Sequence, residues 1–175
     1  MMEYQSTDMK RVIEEYLRAG SNVVLCGNCD SSCIVSLVEC LSLDNVFIQM
    51  DAKGCATEDM FCSEYSRAVM AKVNELLGQD NVGNVEFSSV LSMPQLLAYK
   101  TDKKVIVWID NFHLVNEYSD TVAFQRVLRS NWQKHTDVTY CLCCEDLKAM
   151  ADLFANPVNP FYIYSTPENH LGRED

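Results

Sequence analysis

Nine cysteines stand in this 175-residue chain, and their grouping is the first feature with chemical content. Cys26-x-x-Cys29-x-x-x-Cys33 closes one apolar run, and Cys141, Cys143 and Cys144 close another, while Cys40, Cys55 and Cys62 stand apart. Thiolates in tetrahedral array suit zinc or an iron–sulfur cluster. The candidate ligand set is Cys29, Cys33, Cys143 and Cys144. A reversible disulfide is the other use of such thiols, because a thiol at a helix start ionises more readily. Against both, the spacing lacks the paired C-x-x-C of a zinc ribbon, and neighbouring strand residues face opposite ways. The odd count and the polar, acidic start Met1-Met2-Glu3-Tyr4-Gln5 argue against a disulfide framework of the secreted kind. Reduced thiols are the expected state.

The second feature is "NVVLCGNCDSSCIVSLV", residues 22 to 38. An apolar run ends at Gly27, a short polar loop follows, and an apolar helix begins. Strand, glycine, loop and helix make a phosphate-binding turn when the loop reads G-x-x-x-x-G-K-[ST]. Counted from Gly27, that pattern requires glycine, lysine and a hydroxyl where this chain has Ser32, Cys33 and Ile34. Asn28, Asp30, Ser31 and Ser32 read as the loop and N-cap of the helix, with anion binding as the other reading. Asp110 and Asn111 end the most apolar run, "VIVWID". Asp110 is read as a cap of the next turn or as a metal ligand, and Asp51, ending another run, is read in the same way. His113 reads as a surface or capping histidine, and Arg126 and Arg129 as the polar face of a helix.

These residues need elements to position them. Met9, Val12, Ile13, Tyr16 and Leu17 recur at helical spacing, and Gly20 stops that helix. Strands are expected at 22–26, 46–50, 105–110 and 138–144, with a fifth at "FYIYS", and helices at 31–42, 119–133 and 145–154. Thr57 caps a long helix that turns Phe61, Tyr65, Val69, Val73 and Leu76 inward and closes at Gly78. "GQDNVGNVEF" reads as loop, and 91–99 as a short helix with Pro94 in its first turn. The next helix puts Phe124, Val127, Leu128 and Trp132 on one face. Near-continuous apolar strands alternating with helices predict a three-layer α/β/α sandwich on a parallel sheet.

This order of parts resembles the P-loop NTPases of the AAA+/STAND type found in archaea and bacteria. "VVLCG" with its loop and helix looks like a Walker A segment, and "VIVWIDNFHLV" like a Walker B segment, over roughly residues 8 to 166. The resemblance implies a five-stranded sheet in the order 5-1-4-3-2. In that family the second motif glycine, the lysine and the hydroxyl serve the phosphates and Mg²⁺, and a glutamate follows the Walker B aspartate. Here Ser32, Cys33, Ile34 and Asn111 stand at those positions. Gly27 and Asp110 match. The helical lid that follows the fifth strand in the family has no counterpart, so a single domain over 1–175 is expected, with a polar tail from 167 to 175.

Charge bounds the partners. The formal net charge is −11, with no basic run longer than two residues. Counterion release drives nonspecific nucleic-acid binding, so this balance disfavours a nucleic-acid partner and repels nucleoside triphosphates. No window reaches the ~18 apolar residues of a membrane span, and a cytoplasmic protein is expected. The primary reading is a pseudo-ATPase, a degenerate P-loop domain serving as a protein-interaction or scaffold module, with no cofactor. Its partner is a protein or a second copy of itself. The alternatives are an ATPase holding ATP and magnesium through Asp110, and a thiol-based metal or redox protein. A nucleic-acid-associated factor rests on the family resemblance alone.

Overall fold

The computed structural model describes residues 6–26, 31–78, 85–162, 164 and 170–172, with backbone alone for 6–9, 31–34 and 170–172. Four strands longer than three residues form its sheet: β1 (Val23–Cys26), β2 (Val46–Asp51), β3 (Val105–Asp110) and β4 (Val138–Cys144). They run parallel in the order 1-4-3-2, each joined to the next in sequence by helical crossovers. A three-residue strand, β5 (His170–Gly172), pairs in parallel with the free side of β1, giving the sheet β2-β3-β4-β1-β5.

The expected fifth strand is therefore corrected. Phe161 and Tyr162 lie in a turn, and the edge position goes to residues within the segment read as a polar tail. Burial explains the turn. Phe161 is fully buried, with its ring 5.2 Å from Phe112 and 5.0 Å from Tyr164, so this residue is taken into the core beneath the sheet while Tyr162 is exposed. Residues 163 and 165 of the run lie outside the described residues. Alternating or aromatic-rich runs signal burial before they signal a ladder partner.

The sheet separates two cores. Helices α1 (Ser6–Arg18) and α2 (Ser31–Ser42) cover one face, where Ile13, Leu17, Leu37 and Leu41 meet Val23, Leu25, Ile106, Trp108 and Cys141. The larger core lies under α3 (Glu58–Leu77), α4 (Phe87–Val90), α5 (Met93–Thr101), α6 (Thr121–Trp132) and α7 (Leu147–Ala155). Period-two alternation sends Val105, Val107 and Ile109 to this side and Ile106 and Trp108 to the other.

Local chemistry accounts for the helix ends. Thr57 Oγ1 accepts the Met60 N–H at 3.3 Å, and Gly78 closes α3 in the left-handed region at φ 64°. Phe61, Tyr65, Val69 and Val73 are buried as expected, but Leu76 is 41% exposed. On that last turn the core contact passes to Leu77, four residues after Val73, which leaves Leu76 turned outward. Val127 departs likewise: at 46% exposed it lies outside the arc of Phe124, Leu128 and Trp132. The helix expected at 91–99 is α5, shifted to Met93–Thr101 with Pro94 in its first turn. The short α4 precedes it, starting at Phe87, the last residue of the stretch read as loop.

Candidate functional site

The carboxyl ends of β2 and β3 bring two acids side by side. Asp51 and Asp110 are register partners across the parallel pair. Both Asp110 oxygens are engaged: Oδ1 accepts the Trp108 indole N–H at 2.8 Å, and Oδ2 accepts the Gln49 side-chain N–H at 3.0 Å. Asp51 Oδ1 accepts from the Lys53 backbone N–H and from the Asn111 side chain, each at 2.8 Å. Neutral donors hold both carboxylates.

Strand geometry builds this arrangement. Trp108 and Asp110 are two residues apart on β3, hence on one face, and Gln49 is the cross-strand partner of Trp108. Asp51 caps the single 3₁₀ turn Ala52–Gly54, so the capping reading holds for Asp51. Asp110 instead binds side chains from its own strand and the next. Asn111, next along the chain, takes the left-handed conformation at φ 54°, ψ 33° and starts a 3₁₀ helix, Phe112–Glu117. Asparagine tolerates that region better than most side chains because its short amide bonds locally. Here it reaches Asp51.

Of the expected loop residues, Gly27, Asn28 and Asp30 lie outside the described residues. Ser31, Ser32, Cys33 and Ile34 form the first turn of α2, described by backbone alone. Cys29 also lies outside. Cys143 and Cys144 face opposite ways: Cys143 packs against the α1–α2 core, whereas Cys144 is 1% exposed in the larger core. The two therefore point into different layers. Among the described residues no group of three or more metal-ligating side chains converges.

At the end of β4, burial pushes the Cys144 thiol up to about 12, with neighbouring Cys26 adding to the rise and the His113 backbone N–H opposing it. Cys26 is 4% exposed and forms the last register pair of the β1–β4 ladder with Cys144. His113 is half-buried, its Nδ1 enclosed beside this end of the sheet. Asp146 caps α7 by accepting from the Lys148 and Ala149 N–H groups, and these bonds hold its carboxyl below the usual range. The Cys40 thiol lies 3.3 Å from Glu14 Oε1 and 3.7 Å from Arg18.

Arg129 is partly buried and turned inward rather than lying on a polar face. Its guanidinium donates to the Pro160 carbonyl and, at 2.6 Å, to the Tyr162 carbonyl, and it lies over the Tyr164 ring. Arg126 is exposed. Sequence reasoning missed Trp108 and Gln49 as partners of Asp110. Period two along "VIVWID" would have set Trp108 and Asp110 on one face, but the register that brings Gln49 alongside is a tertiary fact.

No protein-family model matches the chain, and no curated protein matches it. Solved structures do. A Walker-type ATPase of Pyrococcus abyssi superimposes with a TM-score of 0.68 at 13% identity, over 91% of this chain and 51% of that one. The Aeropyrum pernix ORC1 protein, solved in complex with DNA, gives 0.62 at 14% identity over 98% and 45%. Cdc6p from Pyrobaculum aerophilum gives 0.58 at 6% identity over 98% and 45%. The chain has the fold of these proteins. It spans about half the length of each. Among the described residues, no helix is long and apolar enough to cross a membrane.

Proposed function

We propose that this chain is a P-loop NTPase-like domain that serves as a protein-interaction module and does not hydrolyse ATP. The observation that carries the reading is the state of Asp110. A Walker B aspartate acts on magnesium, whereas each oxygen of Asp110 already accepts a side-chain hydrogen bond, from Trp108 and from Gln49, and these neutral donors compete with that role. The neighbouring position supports the same conclusion. Asn111 has no carboxylate to polarise water, and its amide is committed to Asp51. Cys33 and Ile34 supply neither the cation nor the hydroxyl that phosphate and magnesium require.

The partner is a protein, either a second copy of this chain or another subunit of the same fold. The Asp51–Asp110 pair and the net charge of −11 favour a partner that presents basic groups. The Aeropyrum pernix ORC1 protein was solved with DNA; in this chain the charge balance disfavours that use.

Calorimetric titration of the reduced protein with ATP and Mg²⁺ tests the reading. No heat is expected at millimolar nucleotide. A magnesium-dependent signal at micromolar nucleotide, abolished by Asp110→Ala, overturns it in favour of an ATPase that frees Asp110 on binding. Light scattering over a concentration series reports self-association, and titration of a labelled DNA duplex at moderate salt tests the nucleic-acid alternative.

A further inference from the structure

We infer that Cys26 and Cys144 are a redox-responsive pair, able to close into a cross-strand disulfide at the carboxyl edge of the sheet. The inference is independent of whether the domain binds nucleotide. Cys26 is the last residue of β1 and Cys144 the last of β4, and the two are register partners. They share a face, since Val24, Leu142 and Cys144 all line the larger core and period two puts Cys26 with Val24.

Neighbouring strands lie ~4.8 Å apart, inside the roughly 4.4–6.8 Å Cα separation that a disulfide spans. Side-by-side Cβ atoms in a parallel ladder sit slightly wider than the bridge prefers. Closure therefore needs a small mutual approach, and the position at the last pair of the ladder allows it. The remaining cysteines of β4 do not compete, because Cys141 and Cys143 face the opposite core.

The reaction balances with hydrogen peroxide as oxidant. One thiolate attacks peroxide oxygen and becomes a sulfenic acid with loss of hydroxide, which takes up a proton as water. The second thiol then displaces the sulfenic oxygen as a second water, forming the S–S bond. Two thiols and one peroxide yield one disulfide and two waters. Burial keeps the Cys144 thiol protonated, so oxidation is slow and follows opening of the strand ends. The bridge would fasten β1 to β4 where the strand order reverses, the place at which ligands bind in open α/β sheets.

The full chain is treated with hydrogen peroxide, unfolded without reductant, alkylated and mapped by mass spectrometry. The expected result is a cross-linked peptide joining Cys26 to Cys144, two hydrogens lighter than the sum of its parts and reversed by dithiothreitol. Cys143→Ala retains it, and Cys26→Ser or Cys144→Ser removes it. If a serine variant does not fold, the wild-type map still decides. Full alkylation of Cys26 and Cys144 after oxidation, or a bridge from either to another cysteine, overturns the inference.

Discussion

Trp108 donates its indole N–H to Asp110 at 2.8 Å, two residues along the same strand, so a core tryptophan and an edge carboxylate form one unit. The indole ring is 1% exposed and packs 6.2 Å from Phe47, which fixes the N–H direction. The acid is thereby held by an element of the core.

Trp108→Phe keeps most of the apolar volume and removes the donor. A hydrogen bond to a charged group contributes about 1.5–3 kcal/mol, so the variant should lose stability of that order in urea denaturation. If the Asp110 carboxylate is what the indole holds, Asp110→Ala combined with Trp108→Phe should cost less than the sum of the single changes.

The Arg129 guanidinium fastens the 160–162 turn to α6 through two carbonyls. Arg129→Ala should destabilise the fold by about 2 kcal/mol and accelerate amide exchange at Tyr162 and Tyr164 ahead of α3. Arg129→Lys should recover part of the loss. Equal exchange across the whole chain would count against a local clamp.

His135 Nδ1 lies 2.9 Å from the Tyr140 hydroxyl, and burial holds its pKa below the ordinary histidine value, with Lys134 adding to the effect. The unfolded chain therefore takes up the proton first. Stability should be constant above about pH 6.5 and fall as pH drops from there toward the folded pKa. The carboxylates Asp137 and Glu64, whose hydrogen bonds depress them, lose their contribution only at lower pH, below the ordinary carboxylate range. Denaturation curves between neutral and mildly acidic pH should flatten in His135→Phe; an unchanged slope removes His135 as the cause.

Phe61 is fully buried, with ring neighbours Tyr65, Phe112, Tyr118 and Phe124. Phe61→Ala should cost about 3–5 kcal/mol, whereas Leu76→Ala on the same helix should cost well under 1 kcal/mol. Chemical denaturation of the two variants measures the contrast, and similar losses would mean that Leu76 shares the core contact that Leu77 makes on the last turn.

The amino-acid sequence by itself determined the elements. Apolar runs at Val105–Asp110 and Val138–Cys144, the cap at Thr57 and the stop at Gly78 act over a few residues, and the structure has them where the pattern puts them. The identities Ser32, Cys33 and Ile34 were equally legible, since they need no structure to be read. Tertiary structure decided the rest. Whether "FYIYS" is a strand depended on whether Phe161 finds a ladder partner or an aromatic cluster, and Phe112 and Tyr164 supply the cluster. The edge strand instead is His170–Gly172, whose local pattern is weak and whose pairing with β1 comes from a long-range contact. The partners of Asp110 depended on the β2–β3 register, which sets Gln49 beside Trp108 and Asp51 beside Asp110. Register is a relation between strands far apart in sequence; periodicity within one strand forbids a one-residue slip, which would turn every side chain to the other face, but it does not say which residues of the two strands lie side by side.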